Sequence, residues 1–224
     1  LMNTGTHAVP SKNGLVTTVA ASTKGELRYA LEGSVFNAGS TVQWLRDELG
    51  LIKDASETEE LALSVPDTAG TYLVPAFTGL GAPWWDAEAR GLICGLTRGC
   101  TRAHLARAAL ESIAYQAYDV LEAMRNDFPC EIEELAVDGG GSQNRFTMGW
   151  QAGLLQRPMV RPKTAEVTAL GAAYLAGLNA GYWKDLDSLR ANAVQATRFK
   201  PEIAEGLRQQ SLDGWYRALN RARG

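Results

Sequence analysis

IEELAVDGGGSQNRFTMGWQAGLL, residues 132–155, is the stretch on which the fold turns. Residues 132–137 read as a strand, Gly139, Gly140 and Gly141 as a turn, and 143–155 as a helix. Consecutive glycines let a backbone pass close to a ligand, and the helix that follows presents free N–H groups and the positive end of its dipole. An anionic or planar ligand suits such a place. The turn is neither the G-x-G-x-x-G of a dinucleotide fold nor a phosphate loop, whose lysine is missing. A tight turn requiring positive φ accounts for the same glycines without a ligand, and the segment alone leaves both readings open.

Downstream, 159–161 reads as a short strand, 167–179 as a helix of small residues, and 186–194 and 203–221 as further helices. Upstream, Leu105, Ala108, Ala109, Ile113, Ala117, Val120 and Leu121 mark a long amphipathic helix over 101–124, with Thr101 as its N-cap. Residues 14–36 alternate apolar with small and polar residues about a turn at 24–26, the pattern of a hairpin. Asn37-Ala38-Gly39-Ser40 opens a helix carrying Val42, Leu45 and Leu49, and a second short helix covers 57–63 before Pro66. Between 71 and 99 the strand YLVPAF precedes five glycines and the pair Trp84-Trp85, a long structured loop. Strands come first and then alternate with helices, which predicts a single α/β domain with a mixed sheet flanked by helices.

The 224 residues are 46% hydrophobic, enough for one substantial core. Lys and Arg number 22 against 25 Asp and Glu, a net charge of −3, so no basic field is available to hold a nucleic acid. Cys94, Cys100 and Cys130 lack the spacing of a zinc or redox pair, which predicts reduced thiols. No run reaches the roughly 18 apolar residues of a membrane span and no signal peptide opens the chain, so a soluble, cytoplasmic protein is expected. Leu1 is not an initiator residue, which suggests a chain cut from a longer one.

Phe36-Asn37-Ala38-Gly39-Ser40, with Gln43 one turn in, is a second small-residue helix start. It reads as an ordinary cap or, if the turn at 139–141 faces it across a cleft, as half of a pocket for a purine base and its ribose. The loop at 77–86, with its two tryptophans, suits either a cleft lining or the cover of a core edge. His7 and His104 have no Ser, Cys or paired carboxylate at triad spacing and are expected at the surface or in caps. Glu111, Asp119 and Glu122 on the long helix, and Arg208, Arg217, Arg221 and Arg223 in the tail, read as solvated helix faces.

Seven stretches occur in the order seen in glycerol kinases: LMNTG, AGSTVQWLRDEL, VPAFTGLGAPWWD, ARGLICGLTRG, HLARAALESIAYQAYDVLEAM, VDGGGSQN and EVTALGAAYLAG, running from Leu1 to about Trp183. Residues 91–111 also resemble the second signature of the wider FGGY family of carbohydrate kinases. The resemblance implies the ribonuclease-H-like, actin-like ATPase fold. It makes 1–224 the C-terminal nucleotide-binding domain of a two-domain kinase that moves the γ-phosphoryl group of ATP to glycerol with Mg²⁺. It implies contacts to adenine and ribose at Gly39, Gln43, Gly140 and Asn144, where glycine permits close approach and an amide both donates and accepts. Gly141, Ser142 and Gln143 stand where the family varies. The family's phosphate loop, catalytic aspartate, polyol-binding residues and Gly-Thr-Gly turn have no counterpart in this sequence. The resemblance therefore implies no catalytic residue and no metal ligand here, and a chain inactive by itself. It further implies glycerol as the parent's acceptor, with another polyol or sugar as the alternative, and a homo-oligomeric cytoplasmic parent. A nucleotide-binding module that kept the fold and lost catalysis is the rival from a different class.

Overall fold

The computed structural model describes residues 1–23, 25–164, 166–191 and 196–224. Three strands open it, β1 (Met2–Gly5), β2 (Val16–Ala20) and β3 (Arg28–Glu32), in one antiparallel sheet with β3 in the middle. The β2 and β3 pair is the hairpin expected at 14–36, in register from Val16 opposite Glu32 to Ala20 opposite Arg28. Lys24, expected in its turn, lies outside the described residues. Position in the sheet sets the burial: Ala30 and Leu31, on opposite faces of the central strand β3, are both buried, whereas Val16 and Val19 on the outer strand β2 are exposed.

Helices α1 (Gly39–Asp47) and α2 (Glu57–Leu63) follow, and then β4 (Tyr72–Val74) pairs antiparallel with β5 (Leu92–Cys94). The run YLVPAF yields only β4 because Pro75 has no N–H to give a ladder. β5 lies inside the stretch expected to be loop; three residues are too few to show a period. Helix α3 (Arg102–Asp127) comes next, capped as expected by Thr101, whose N–H donates to His104 Nδ1 at 3.2 Å in a capping box. His7 is exposed.

The rest of the chain alternates. It runs through β6 (Leu135–Ala136), a 3₁₀ turn (Gly140–Gln143), α4 (Arg145–Leu155), β7 (Met159–Pro162), α5 (Val167–Asn179), α6 (Leu186–Ala191), β8 (Ala196–Phe199) and α7 (Glu205–Arg223). β6 lies parallel to β7 and β7 antiparallel to β8, a mixed sheet. The strand expected over 132–137 shortens to β6, although the Val137 N–H still donates to Val160 O at 2.9 Å. Helix α4 starts later than residue 143 because Asn144 is extended and caps it. The helix expected over 186–194 is α6, and residues 192–194 lie outside the described residues.

Helix α3 is the axis of the molecule. Ala114 and Tyr115 join one apolar cluster, Val120, Leu121, Ala123 and Met124 a second, and Ala106, Ala108 and Ala109 a third. α1, α2, α4, α7 and β4 all pack against it. Packing on every side overturns the solvated face expected for Glu111 and Asp119, which are each 4% exposed. Glu122 is half-buried. Arg208 is likewise not a solvated tail residue: its Nε donates to Leu154 O at 2.7 Å and its guanidinium lies over the Tyr118 ring. Arg223 lies 4.7 Å over Trp84, while Arg217 and Arg221 are exposed as expected. The long stems of arginine let an inward helix face keep a charge at its rim. No helix among the described residues is long and apolar enough to cross a membrane, and the three cysteines are free thiols.

Candidate functional site

A cavity of about 600 Å³ opens where α1, α2 and the 3₁₀ turn meet over α3. Its far wall is apolar, from Val42, Leu110, Ile113 and Met148, and its rim is polar, from Gln43, Arg46, Ser56, Glu59, Glu60 and Gln143. A flat apolar body with a polar edge fits that distribution.

One side is the start of α1. Asn37 O accepts Gln116 Nε2 at 3.0 Å and Thr41 Oγ1 at 3.2 Å, which fastens this corner to α3. Ala38 at the cap position supplies no side-chain acceptor, so the first N–H groups of α1 are left without a side-chain cap. Gly39 and Gln43 both line the cavity. Gln43 is exposed, and its amide makes no hydrogen bond among the described residues. Arg46 at the rim is held by its neighbour, with Nε 2.7 Å from Asp47 Oδ1 and Nη2 3.0 Å from Oδ2. That hydrogen-bonded guanidinium draws the Asp47 carboxyl below the usual range.

The opposite side is the glycine turn. Gly139 has φ +76°, the left-handed region that favours glycine, and its carbonyl accepts Ser142 Oγ at 2.7 Å. Arg161 Nη1 donates to Ser142 O at 2.5 Å from β7. Gly140 differs. Its φ is not in that region, and a Cβ built on it, as on Gly39, meets no protein atom within 4 Å. Neither backbone strain nor crowding demands glycine at 39 or 140, so the room in front of both belongs to the cavity.

Gly39, Gln43, Gly140 and Asn144, named from the sequence, thus come together on one cavity. Asn144 is more engaged than its sequence position suggests. Its Oδ1 accepts the Thr147 N–H at 2.9 Å as the cap of α4, and its Nδ2 donates to Thr58 Oγ1 at 3.2 Å on α2. One lone pair and one N–H remain. The wall formed by α2, with Thr58, Glu59 and Glu60, carried no sequence signal, because an acidic first turn is ordinary helix chemistry. Glu59 Oε2 accepts the Arg145 N–H at 2.6 Å, a second tie between α2 and α4.

Arg107 holds these walls from behind. It pairs with Glu111 at 2.8 Å, donates Nη1 to Val65 O at 2.6 Å beyond α2, and lies 5.0 Å and 5.5 Å over the Phe146 and Trp150 rings of α4. Burial pushes the Glu111 carboxyl up, against the lowering by Arg107 and by Tyr115, whose hydroxyl donates at 3.0 Å. A second buried carboxylate, Asp119, accepts Trp215 Nε1 at 2.9 Å, Tyr216 OH at 3.0 Å and Trp84 Nε1 at 3.3 Å. It fastens α7 and the 77–86 loop to α3, away from the cavity. That loop covers a core edge: Trp84 packs on the first apolar cluster, and Trp85, half exposed, donates Nε1 to Gly14 O at 2.6 Å. Neither tryptophan, and neither histidine, lines the cavity.

Residues 1–180 match the family model described as the FGGY family of carbohydrate kinases, C-terminal domain. The chain is 56% identical over 223 residues to a glycerol kinase of Pseudomonas entomophila, covering 100% of this chain and 45% of that protein. Among solved structures, the glycerol kinase of Plasmodium falciparum, crystallised with ADP, superposes with a TM-score of 0.91 at 35% identity, over 98% of this chain and 44% of that one. The xylulose kinase of Lactobacillus acidophilus superposes at 0.77 with 25% identity, over 92% of this chain and 45% of that one. The chain thus spans less than half the length of the relatives it matches. The fold is the actin-like, ribonuclease-H-like one of these kinases.

Proposed function

The chain belongs to the FGGY family of carbohydrate kinases, and on that premise we propose that it is the nucleoside-holding, C-terminal domain of an ATP-dependent glycerol kinase. The observation that carries this is the convergence of Gly39 and Gln43 from α1 with Gly140 and Asn144 from the glycine turn on one cavity with an apolar wall. Adenine lies against Val42, Leu110, Ile113 and Met148, and the two glycines admit base and ribose close to the backbone. The amides of Gln43 and Asn144 supply hydrogen bonds at the rim. The Plasmodium relative's ADP supports a nucleotide as the occupant.

Phosphoryl transfer rests on positioning and on stabilising charge around the transferred group. The part assigned to this chain is to bind and orient the nucleoside and to exclude water from one side of the cleft. The catalytic aspartate, the polyol pocket and the phosphate loop belong to the other half of the parent. Among the described residues no group of three or more His, Cys, Asp or Glu could hold a metal ion. We assign Mg²⁺ to the nucleotide phosphates and the other half, where it would neutralise phosphate charge. The chain alone is expected to turn over nothing. The parent works in the cytoplasm as a homo-oligomer, with glycerol as acceptor on the strength of 56% identity to a glycerol kinase against 25% to a xylulose kinase.

An NMR titration with ADP, following backbone amides and the six tryptophan indoles, tests the pocket. Shifts are expected at Gly39, Gln43, Gly140 and Asn144, and their absence at saturating ADP refutes the assignment. Joining the chain to the first half of a glycerol kinase relative tests the acceptor. ADP release should depend on glycerol, and a sugar or other polyol outperforming glycerol would overturn that choice.

A further inference from the structure

Thr147 is the third residue of α4, counted from Arg145. It lines the cavity and is 2% exposed, yet its Oγ1 has no hydrogen-bond partner among the described residues. The polar side chains beside it are engaged: Thr58 Oγ1 donates to Ala55 O at 2.6 Å and accepts Asn144 Nδ2, while Asn144 Oδ1 takes the Thr147 N–H. A helical threonine ordinarily gives its hydroxyl to a carbonyl three or four residues back. Thr147 sits in the first turn, where those positions are Asn144, the cap, and Gln143, in the 3₁₀ turn. Asn144 O already takes the Met148 N–H at 3.2 Å. The protein therefore leaves this hydroxyl unmatched in a residue that lines the cavity, and a step of about 120° between staggered positions about Cα–Cβ carries the hydroxyl into the place of the methyl.

Resting on the nucleoside assignment above, we propose that Thr147 is a ligand-contacting residue whose hydroxyl turns into the cavity and hydrogen-bonds the polar edge of the purine base. Depth selects the base over ribose or phosphate. Thr147, Met148 and Leu110 belong to the buried part of the lining, whereas Gly39, Gln43 and Gly140 are exposed. Phosphates keep their water at the mouth. A base that reaches the apolar wall brings ring nitrogens and an exocyclic group that need partners there. A hydroxyl both donates and accepts, so it serves either kind.

The test is an ADP titration of the 224-residue chain and its Thr147→Val and Thr147→Ser variants, with thermal midpoints measured without ligand. Valine keeps the shape and removes the hydroxyl. Thr147→Val is expected to weaken ADP about fivefold, while its midpoint stays at or above that of the unaltered chain, since the group removed has no partner. Thr147→Ser should stay within about twofold for ADP. Undiminished ADP binding by Thr147→Val overturns the role of the hydroxyl and leaves the cavity assignment standing. Weaker binding with a lowered midpoint assigns Thr147 to packing and overturns it as well. No ADP binding by the unaltered chain overturns the cavity assignment and this inference together.

Discussion

Replacing Arg107 by methionine removes a guanidinium that three walls of the cavity share. Arg107 and Glu111 are 8% and 4% exposed and lie 2.8 Å apart, so solvent screening does little for either. In Arg107→Met the Glu111 carboxylate keeps only Tyr115 OH as donor, and burial, which already pushes that carboxyl up, is no longer opposed by a cation. Val65 O and Ala62 O also lose their donor, at 2.6 Å and 3.4 Å. Removing one partner of a buried ion pair costs about 3–5 kcal/mol. A domain of this kind is stable by only about 5–15 kcal/mol. At about 2–4 °C per kcal/mol for this size, the thermal midpoint should fall by about 6–20 °C. Urea unfolding followed by tryptophan fluorescence measures the free energy directly. Adding Glu111→Gln to Arg107→Met supplies the control, because a neutral amide needs no cation, and should recover about 2 kcal/mol. If Arg107→Met lies within about 1 kcal/mol of the unaltered chain, the pair behaves as a screened surface pair and the clamp is refuted.

Burial pushes the Asp119 carboxyl from 3.8 to about 6 against its three donors. A folded value above the unfolded one means that the folded chain binds the proton more tightly. The contribution is thus complete below about pH 4 and lost as pH rises through about 6, a swing of about 3 kcal/mol. Asp119→Asn should abolish this dependence in urea titrations at pH 4, 5, 6 and 7, and parallel curves for the two proteins would count against it. Gly140→Val, placed where a Cβ meets nothing within 4 Å, should change stability by less than about 1 kcal/mol and weaken ADP more than about tenfold by filling the cavity. Equal ADP binding by isothermal titration would put Gly140 outside the site. Asn144→Ala should cost about 1–2 kcal/mol through the lost cap of α4 and the lost bond to Thr58, and unchanged urea midpoints would contradict both hydrogen bonds.

Elements whose cause is local were legible in the sequence. The apolar period of α3, its Thr101 cap, the β2 and β3 hairpin and the passage from strand through Gly139, Gly140 and Gly141 to helix each follow from neighbours within a few residues. β5 was not legible, since three residues paired with a distant strand carry no period of their own. The four candidate site residues came from motif resemblance, and the glycine turn alone fitted a plain turn equally well. Tertiary structure brought Gly39 and Gly140 to one cavity and added Thr58 and Ile113. It also reversed the meaning of charge on α3. Arg107 and Glu111, spaced like an exposed pair on a helix face, are inside because α2 and α4 close over them. Periodicity reports how many sides of a helix are apolar, and α3 is packed even on its polar side. Charges there are tolerated because each has partners: Arg107 and Tyr115 meet Glu111 from one turn away on α3, whereas Trp215 and Tyr216 meet Asp119 from α7, which only the packing of distant segments decides.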